Sequence, residues 1–352
     1  MADFSVIDAD VHLAQKTDDS DVRPFMESPY RDQAGSLLPA TGWDPSEYGR
    51  IKPDDWTLDH YRRAMDQERV DVSVLFPTRA LLLSQIPQKG LPTGYSNRAR
   101  DENLASAYCR GYNNYVAGIC KANSRLKAVA VVPFQNVAAA VTEVTRAVAE
   151  LGLVGIALSS LGLAEHVGAS IYWPIYQEME RLNVPLLIHN LSYLGPGQDL
   201  RADTFLFQDA VGGSMETFHT CTALMYGGIP DKFPQLRIGV FNTGVGWVPF
   251  LMERMDKDFE GRNPEEAPLL KNTPSQHMTG GNWYFATTYN EQSLPYVLQT
   301  VGEDQVIFGS AYPEADSLFP GAVASIRERR DISDQAKKKI LAENAKTLLG
   351  WG

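Results

Sequence analysis

Eight short runs of β-branched and apolar residues, with helical patterns between them, constrain the fold of this chain more than any other feature. They are Phe4–Asp8, Val72–Phe76, Ala128–Val132, Val154–Leu158, Pro185–His189, Arg237–Phe241, Trp283–Thr287 and Gln305–Gly309. Each is apolar almost throughout, the pattern of a parallel strand covered on both faces. The segments between them carry helix signals. Val141, Val144, Val148 and Leu151 share one helical face, which Gly152 closes. Ser170 is placed to cap a helix running to Leu182, ended by Asn183 and Pro185, and Ser333 to cap a last helix closed by Gly350. Repeated strand–helix alternation predicts an α/β chain folded as one (β/α)8 TIM barrel. A doubly wound open sheet shows the same alternation, but no GxGxxG or GxxxxGK[ST] follows any strand.

The chain has 352 residues, and a barrel of this kind typically needs about 250, so about a hundred belong to insertions. The longest follows strand one, residues 13–60, rich in Asp, Pro, Tyr and Gly and suited to a lid or a dimer contact. Two more are expected at 190–208 and 260–281. The net charge of −11 is spread among mixed signs with no Lys/Arg block, so neither nucleic acid nor an anionic membrane is an expected partner. No run approaches the ~18 apolar residues of a membrane span. The opening MADFSVIDAD has no basic stretch followed by an apolar one, so no secretory leader is expected. Cys109, Cys120 and Cys221 lie far apart without a CxxC pair, which fits a reducing cytoplasm.

Barrel chemistry sits where strands end. Strand one ends in Asp8-Ala-Asp10-Val-His12, where the alternation of extended backbone puts Asp8, Asp10 and His12 on one face. A carboxylate and an imidazole are ordinary ligands of zinc or manganese. His189 ends strand five after an apolar run. Either histidine alone reads as well as a hydrogen-bonded barrel residue; together they favour a metal or acid/base site. Arg79, just after strand two, is either a clamp for a substrate carboxylate or a surface arginine. His219 reads as a packed or capping residue, with substrate contact as the alternative. Tyr289, Asn290 and Glu291 after strand seven, and Glu314 and Asp316 after strand eight, are positioned to act as acid/base or substrate groups. His60, His166 and His277 read as solvated. Tyr30, Trp43, Tyr48, Trp56 and Tyr61 would roof an aromatic substrate or cement a dimer. No GxSxG elbow or Cys/His pairing stands out, against covalent acyl transfer.

These motifs resemble a known family. Asp8-Ala-Asp-Val-His12, Leu186-Leu-Ile-His189 and Ile307-Phe-Gly-Ser-Ala-Tyr-Pro313 look like the amidohydrolase superfamily, in the branch related to aminocarboxymuconate-semialdehyde decarboxylase. Gly227-Gly-Ile-Pro-Asp-Lys-Phe-Pro234, Gly244-Val-Gly-Trp-Val-Pro249 and Glu343–Gly350 extend the likeness over essentially the whole chain. The resemblance implies a (β/α)8 barrel, usually a homodimer, often with one divalent metal, acting on small aromatic or unsaturated carboxylic acids. By position Asp10, His12 and His189 match metal ligands. Two positions depart from the pattern. Ala311 stands where the family has a metal-binding, proton-moving aspartate, and Asn242 where a histidine or glutamate is usual. Arg254 stands roughly where relatives carry an arginine reaching the neighbouring subunit's substrate, although an intrahelical pair is the plainer reading.

The expectation is therefore a carbon–carbon lyase, a non-oxidative decarboxylase, with Asp10, His12 and His189 around zinc or manganese. Asn242 and Ala311 belong to the catalytic positions, and Arg79, Arg254, His219 and Tyr289 to the substrate. An alanine can neither ligate nor transfer a proton, so both metal retention and rate are expected to suffer. Losing a general acid/base forfeits ~10²- to 10⁴-fold. The alternatives are a metal-independent hydrolase or cyclase on a biosynthetic intermediate, resembling the pyrone-dicarboxylate lactonases, and a catalytically dead barrel kept for binding.

Overall fold

The computed structural model describes residues 4–16, 18–33, 37, 57–83, 102–159, 163, 165–189, 205–262, 265–314 and 317–351. Eight strands run through them: β1 Ile7–His12, β2 Val72–Phe76, β3 Leu126–Ala128, β4 Ile156–Leu158, β5 Leu186–His189, β6 Ile238–Phe241, β7 Trp283–Thr287 and β8 Val306–Phe308. All pairs are parallel, in the orders β1-β2-β3 and β4-β5-β6-β7-β8. Backbone hydrogen bonds join the two groups at both seams. At one, Ala130 N donates to Gly155 O and Ala157 N to Ala130 O, each 2.8 Å. At the other, His12 N donates to Tyr312 O at 2.7 Å and Ala311 N to Asp10 O at 2.9 Å. The strands thus follow one another in sequence order around a ring, as the alternation predicts.

The departures from the sequence reading have local causes. β1 begins later than expected and runs on through Asp8-Ala-Asp-Val-His12, so the polar motif lies inside the strand. Its pairing slips by one residue: Asp8 faces Ser73 and Val11 faces Leu75, three steps on β1 against two on β2. This irregularity re-aims the side chains. Asp8 lines a small cavity with Val11, Tyr61 and Val323, whereas Asp10 and His12 stay together. The common face predicted for all three therefore holds for two of them. β3 ends at Ala128 rather than running from there to Val132. Ser170 opens a short 3-10 turn, and the helix is Trp173–Arg181, started by a proline in its first turn rather than by the serine. Ser333 does cap: its Oγ accepts the Ala336 N–H at 3.0 Å. The last helix is broken into Asp334–Lys338, a π turn Lys339–Glu343 and Asn344–Leu349 before Gly350 at φ +73°. The segment 260–281 contains helix Pro274–Gly280, which Thr273 and Gln276 cap reciprocally.

Within the insertion after β1 the described residues form two 3-10 turns, Arg23–Phe25 and Tyr30–Asp32. Trp43, Tyr48, Trp56 and Asp316 lie outside the described residues. Tyr61 is buried and braces the end of β1, donating to His12 O at 2.6 Å and accepting from Ala14 N at 3.1 Å. No helix among the described residues is long and apolar enough to cross a membrane. All three cysteines are free thiols.

One buried amide ties the helices to the barrel. Asn113, on helix Glu102–Ala122, donates to Val131 O at 2.9 Å and to Glu143 Oε1 at 2.6 Å, and accepts from Val131 N at 3.0 Å. Glu143 in turn holds Arg146. Replacing Asn113 by alanine leaves the buried Val131 N–H and carbonyl without this partner and takes one of two hydrogen bonds from Glu143 Oε1, which keeps Arg146 Nη2 at 2.7 Å. We expect Asn113→Ala to lower unfolding free energy by about 2–4 kcal/mol in denaturant titration, with the metal-ligand trio unchanged.

Candidate active site and metal centre

β1 and β5 bring three donor atoms to one point at the barrel mouth. Asp10 Oδ1 lies 3.3 Å from His12 Nε2 and 3.6 Å from His189 Nε2, and the two Nε2 atoms are 3.1 Å apart. Two ligands about 2.1 Å from one cation stand about 3.0–3.4 Å apart for right-angled to tetrahedral arrangements. The triangle has nearly those edges. All three residues are buried, and Asp10 Oδ1 has no hydrogen-bond partner. A buried carboxylate oxygen left in that state is costly unless a cation completes it. Among the described residues, this is the one group of His, Cys, Asp and Glu side chains close enough to share an ion.

Glu314 completes the second ring of contacts. Its Oε1 lies 2.9 Å from His12 Nδ1. That contact assigns a proton to Nδ1, so that Nε2, once it gives up its own proton, is the atom with a lone pair to offer a metal, the carboxylate–histidine arrangement common behind metal ligands. Burial works against charge on His12, but the Glu314 and Asp10 carboxylates outweigh it and hold the imidazolium well above its ordinary range. Burial likewise opposes ionisation of Asp10, yet contact with and charge on His12 and His189 keep its carboxyl well below the usual range. Asp8 differs: burial pushes it up to about 7, against hydrogen bonds from Ser310.

The other sequence candidates divide. Asn242, just after β6, and Ala311, just after β8, hold left-handed backbone at φ +60° and +56°. Both line one cavity of about 40 Å³ together with Asp10, Thr287, Tyr289 and Ser310. Arg79 is not a surface residue: it is buried, its Nη2 3.4 Å from Asp19 Oδ1. Asp19 also accepts from Tyr108 OH at 3.0 Å and Leu37 N at 2.7 Å. Arg254 is exposed and pairs along its helix with Asp258, Nε to Oδ2 3.1 Å. His219 lines a different cleft with His166, Phe218 and Tyr226, none of which borders the cavity at Asp10. Glu291 is committed to the loops, accepting from Val245 N and Gly246 N at 2.7 Å each and from Thr287 Oγ1 at 3.0 Å. His277 is not simply solvated but lies 3.0 Å from Asp231.

Sequence reasoning passed over Gln15. It is fully buried three residues after His12, and its Oε1 accepts from Thr78 N at 3.2 Å and Ala80 N at 3.0 Å, joining the mouth ends of β1 and β2. Followed by Lys16, Thr17, Asp18 and Asp19, it carries no local signal, because its partners lie on the far side of β2.

The chain is similar to several known proteins over most of its length. The 2-amino-3-carboxymuconate-6-semialdehyde decarboxylase of Dictyostelium discoideum is 25% identical over 309 residues, covering 87% of this chain and 80% of that protein. The gamma-resorcylate decarboxylase of Rhodococcus jostii (strain RHA1) is 27% identical over 332 residues, 90% of this chain and 93% of the relative. Among solved structures, a dihydroxybenzoic acid decarboxylase from Polaromonas sp. JS666, with bound manganese and the inhibitor 2-nitroresorcinol, superposes with a TM-score of 0.72. It is 21% identical, with 98% of this chain and 97% of that one covered. The family model described as Amidohydrolase matches residues 7–351, and the chain belongs to the amidohydrolase family.

Proposed function

We propose that this chain is a metal-dependent, non-oxidative decarboxylase of an aromatic or unsaturated carboxylic acid. The observation that carries the reading is the buried triangle of Asp10 Oδ1, His12 Nε2 and His189 Nε2 with its unsatisfied carboxylate oxygen. Relatives named for decarboxylation of resorcylate and aminocarboxymuconate semialdehyde support the reaction class. Neither alternative gains a specific observation: a binding-only barrel has no need of the intact trio.

When bound, a divalent zinc or manganese ion supplies positive charge that offsets negative charge on the substrate's carboxylate and adjacent oxygen. Asp10, His12 and His189 are the residues that would hold it, and Glu314 fixes the His12 ring that must offer Nε2. In the reaction, the carbon bearing the carboxylate takes a proton and the bond to the carboxylate breaks. Its electron pair returns to the ring or double bond, and carbon dioxide leaves. Ala311 has no proton to give. Delivery then falls to water or to Tyr289, one of the residues lining the cavity at Asp10, at a rate lowered by up to the ~10²- to 10⁴-fold that a positioned acid is worth. Arg79, held by Asp19, is the buried cation nearest in sequence to the mouth of β2 and is assigned to substrate charge. Arg254 is assigned to a second copy of the chain in a homodimer.

Three outcomes test this reading. Purified without added tag or metal and then reconstituted with manganese, the protein is expected to hold about one equivalent by plasma mass spectrometry. His189→Ala is expected to lose both the metal and carbon dioxide release; full metal in that variant would overturn the ligand set. Glu314→Gln keeps the shape but weakens the anchor of His12, so manganese affinity by calorimetry should fall about 10- to 100-fold.

The pH dependence has a definite sign. Because the His12 proton is held above its ordinary range in the metal-free protein, binding must expel it. Affinity therefore rises with pH, by about tenfold per unit while His12 is protonated. Calorimetry in buffers of different ionisation enthalpy should count about one proton released per manganese near neutrality; release of none would sink the assignment.

A further inference from the structure

Asp8 is buried within the motif that supplies Asp10 and His12, yet the trio leaves it out. Its Oδ1 accepts from two amides on different strands: Asp10 N at 3.3 Å on its own, and Ser310 N at 3.0 Å just beyond β8. Consecutive amides of a regular strand point to opposite sides. Here Ser310 N and Ala311 N both reach β1, the first to the Asp8 side chain and the second to Asp10 O at 2.9 Å. The backbone therefore leaves the ladder at this point, and Ala311, left-handed at φ +56°, is the residue that turns it. Asp8 gives an acceptor to an amide that the ladder no longer serves. Ser310 Oγ closes the turn by accepting from Tyr312 N at 3.1 Å. There is little slack: a Cβ on Gly309 would stand 2.6 Å from the Cβ of Asp10. What the turn carries is Glu314, whose N donates to Ala311 O at 2.9 Å and whose Oε1 lies 2.9 Å from His12 Nδ1.

We propose that Asp8 is a positioning residue for His12: its oxygen sets the turn after β8, and the turn presents Glu314 to the Nδ1 side of the ring, so that Nε2 is aimed at the trio. The inference rests on the reading of the trio as a metal site and adds to it a residue that is no ligand. The path runs from Asp8 through Ser310 and the Ala311 turn to Glu314, and from there to His12. Along that path the acceptor oxygen matters rather than the charge. Burial holds the Asp8 carboxyl at about 7, and its protonated and ionised forms both keep an oxygen that accepts. Asparagine keeps that oxygen as well. Leucine is close in shape, suits a surround that includes Met65, Phe308 and Leu318, and has no acceptor.

The test is manganese affinity by calorimetry for Asp8→Asn, Asp8→Leu, Glu314→Ala and the double variant Asp8→Leu/Glu314→Ala. Melting curves establish that each is folded, and Asp8→Ala replaces a leucine variant that is not. Asp8→Leu should bind manganese about tenfold or more weakly, the loss that follows removal of an outer contact behind a metal ligand. Asp8→Asn should stay within about threefold of the unaltered chain, because its acceptor remains. On the Glu314→Ala background the leucine change should cost less than about threefold further, since its path to His12 is already cut. The proposal is overturned if Asp8→Asn is as weak as Asp8→Leu, which makes charge the cause, or if the two losses multiply in the double variant. A second readout needs no metal. In metal-free protein carrying isotope-labelled histidine, the Nδ1–H of His12 gives a nuclear magnetic resonance signal identified by its loss in Glu314→Ala. That signal should persist in Asp8→Asn and disappear in Asp8→Leu. Failure of the unaltered chain to take up manganese removes the metal reading alone. The histidine signal then decides the positioning role, and its survival in Asp8→Leu overturns it.

Discussion

Everything at the mouth of this barrel depends on three donor atoms held within 3.6 Å of one another in a buried place. Two imidazole nitrogens and a carboxylate oxygen do not gather out of water without a reason. Each gives up hydration, and the Asp10 oxygen recovers no hydrogen bond. Structural salt links usually arrange themselves so that every lone pair is used. Here the arrangement makes sense as a ligand set whose last member is a cation. Glu314 reinforces this view from behind: by accepting a hydrogen bond from the Nδ1–H of His12 it keeps Nε2 aimed at the trio.

The trio exists because the ring closes. His12 is fixed from its backbone: its N–H reaches Tyr312 O and its carbonyl receives the Tyr61 hydroxyl. The first of these bonds is the seam between the last strand and the first. The same seam brings Glu314, two residues beyond Tyr312, against the His12 ring. Metal-site geometry and barrel closure are thus one set of contacts seen from two sides. The pairing slip between Asp8 and Val11 belongs to the same region. By adding a residue it lets Asp8 turn to the cavity under helix Leu58–Glu68 while Asp10 and His12 converge.

Much of this was legible in the sequence where the determining contacts are local. Apolar, β-branched runs gave the strands, and the histidine closing Leu186-Leu-Ile-His189 was conspicuous because packing does not ask for it. What was not legible depends on partners far along the chain. The apolar run of strand one covers only Phe4–Asp8, with Asp10 and His12 read as extended backbone at its end; pairing with β2 makes them part of the strand itself. Ser170 loses the helix start to Pro174, whose ring presets the first turn. Arg79 reads equally as a substrate clamp and as a surface arginine, but Asp19, sixty residues earlier and itself fully buried, supplies its counter-charge. Glu314 was noticeable by position, yet its contact with His12 spans the entire chain and has no local signature.

Ala311 shows how far backbone and side chain can be separated at such a site. Alanine in the left-handed region costs about 1 kcal/mol relative to its ordinary conformations. The seam holds it there: its N–H is tied to Asp10 O and its carbonyl receives Glu314 N, both at 2.9 Å. Those bonds belong to the closure of the ring and do not ask what side chain the residue bears. The backbone that presents a strand-eight group to the trio is therefore kept, at a small conformational cost, while the group itself is a methyl. A barrel that had lost its chemistry altogether would gain from glycine or asparagine here and from apolar residues at Asp10 and His189. It has neither. Asp10, His12 and His189 stand intact beside Ala311, a set that a barrel without chemistry has no reason to keep.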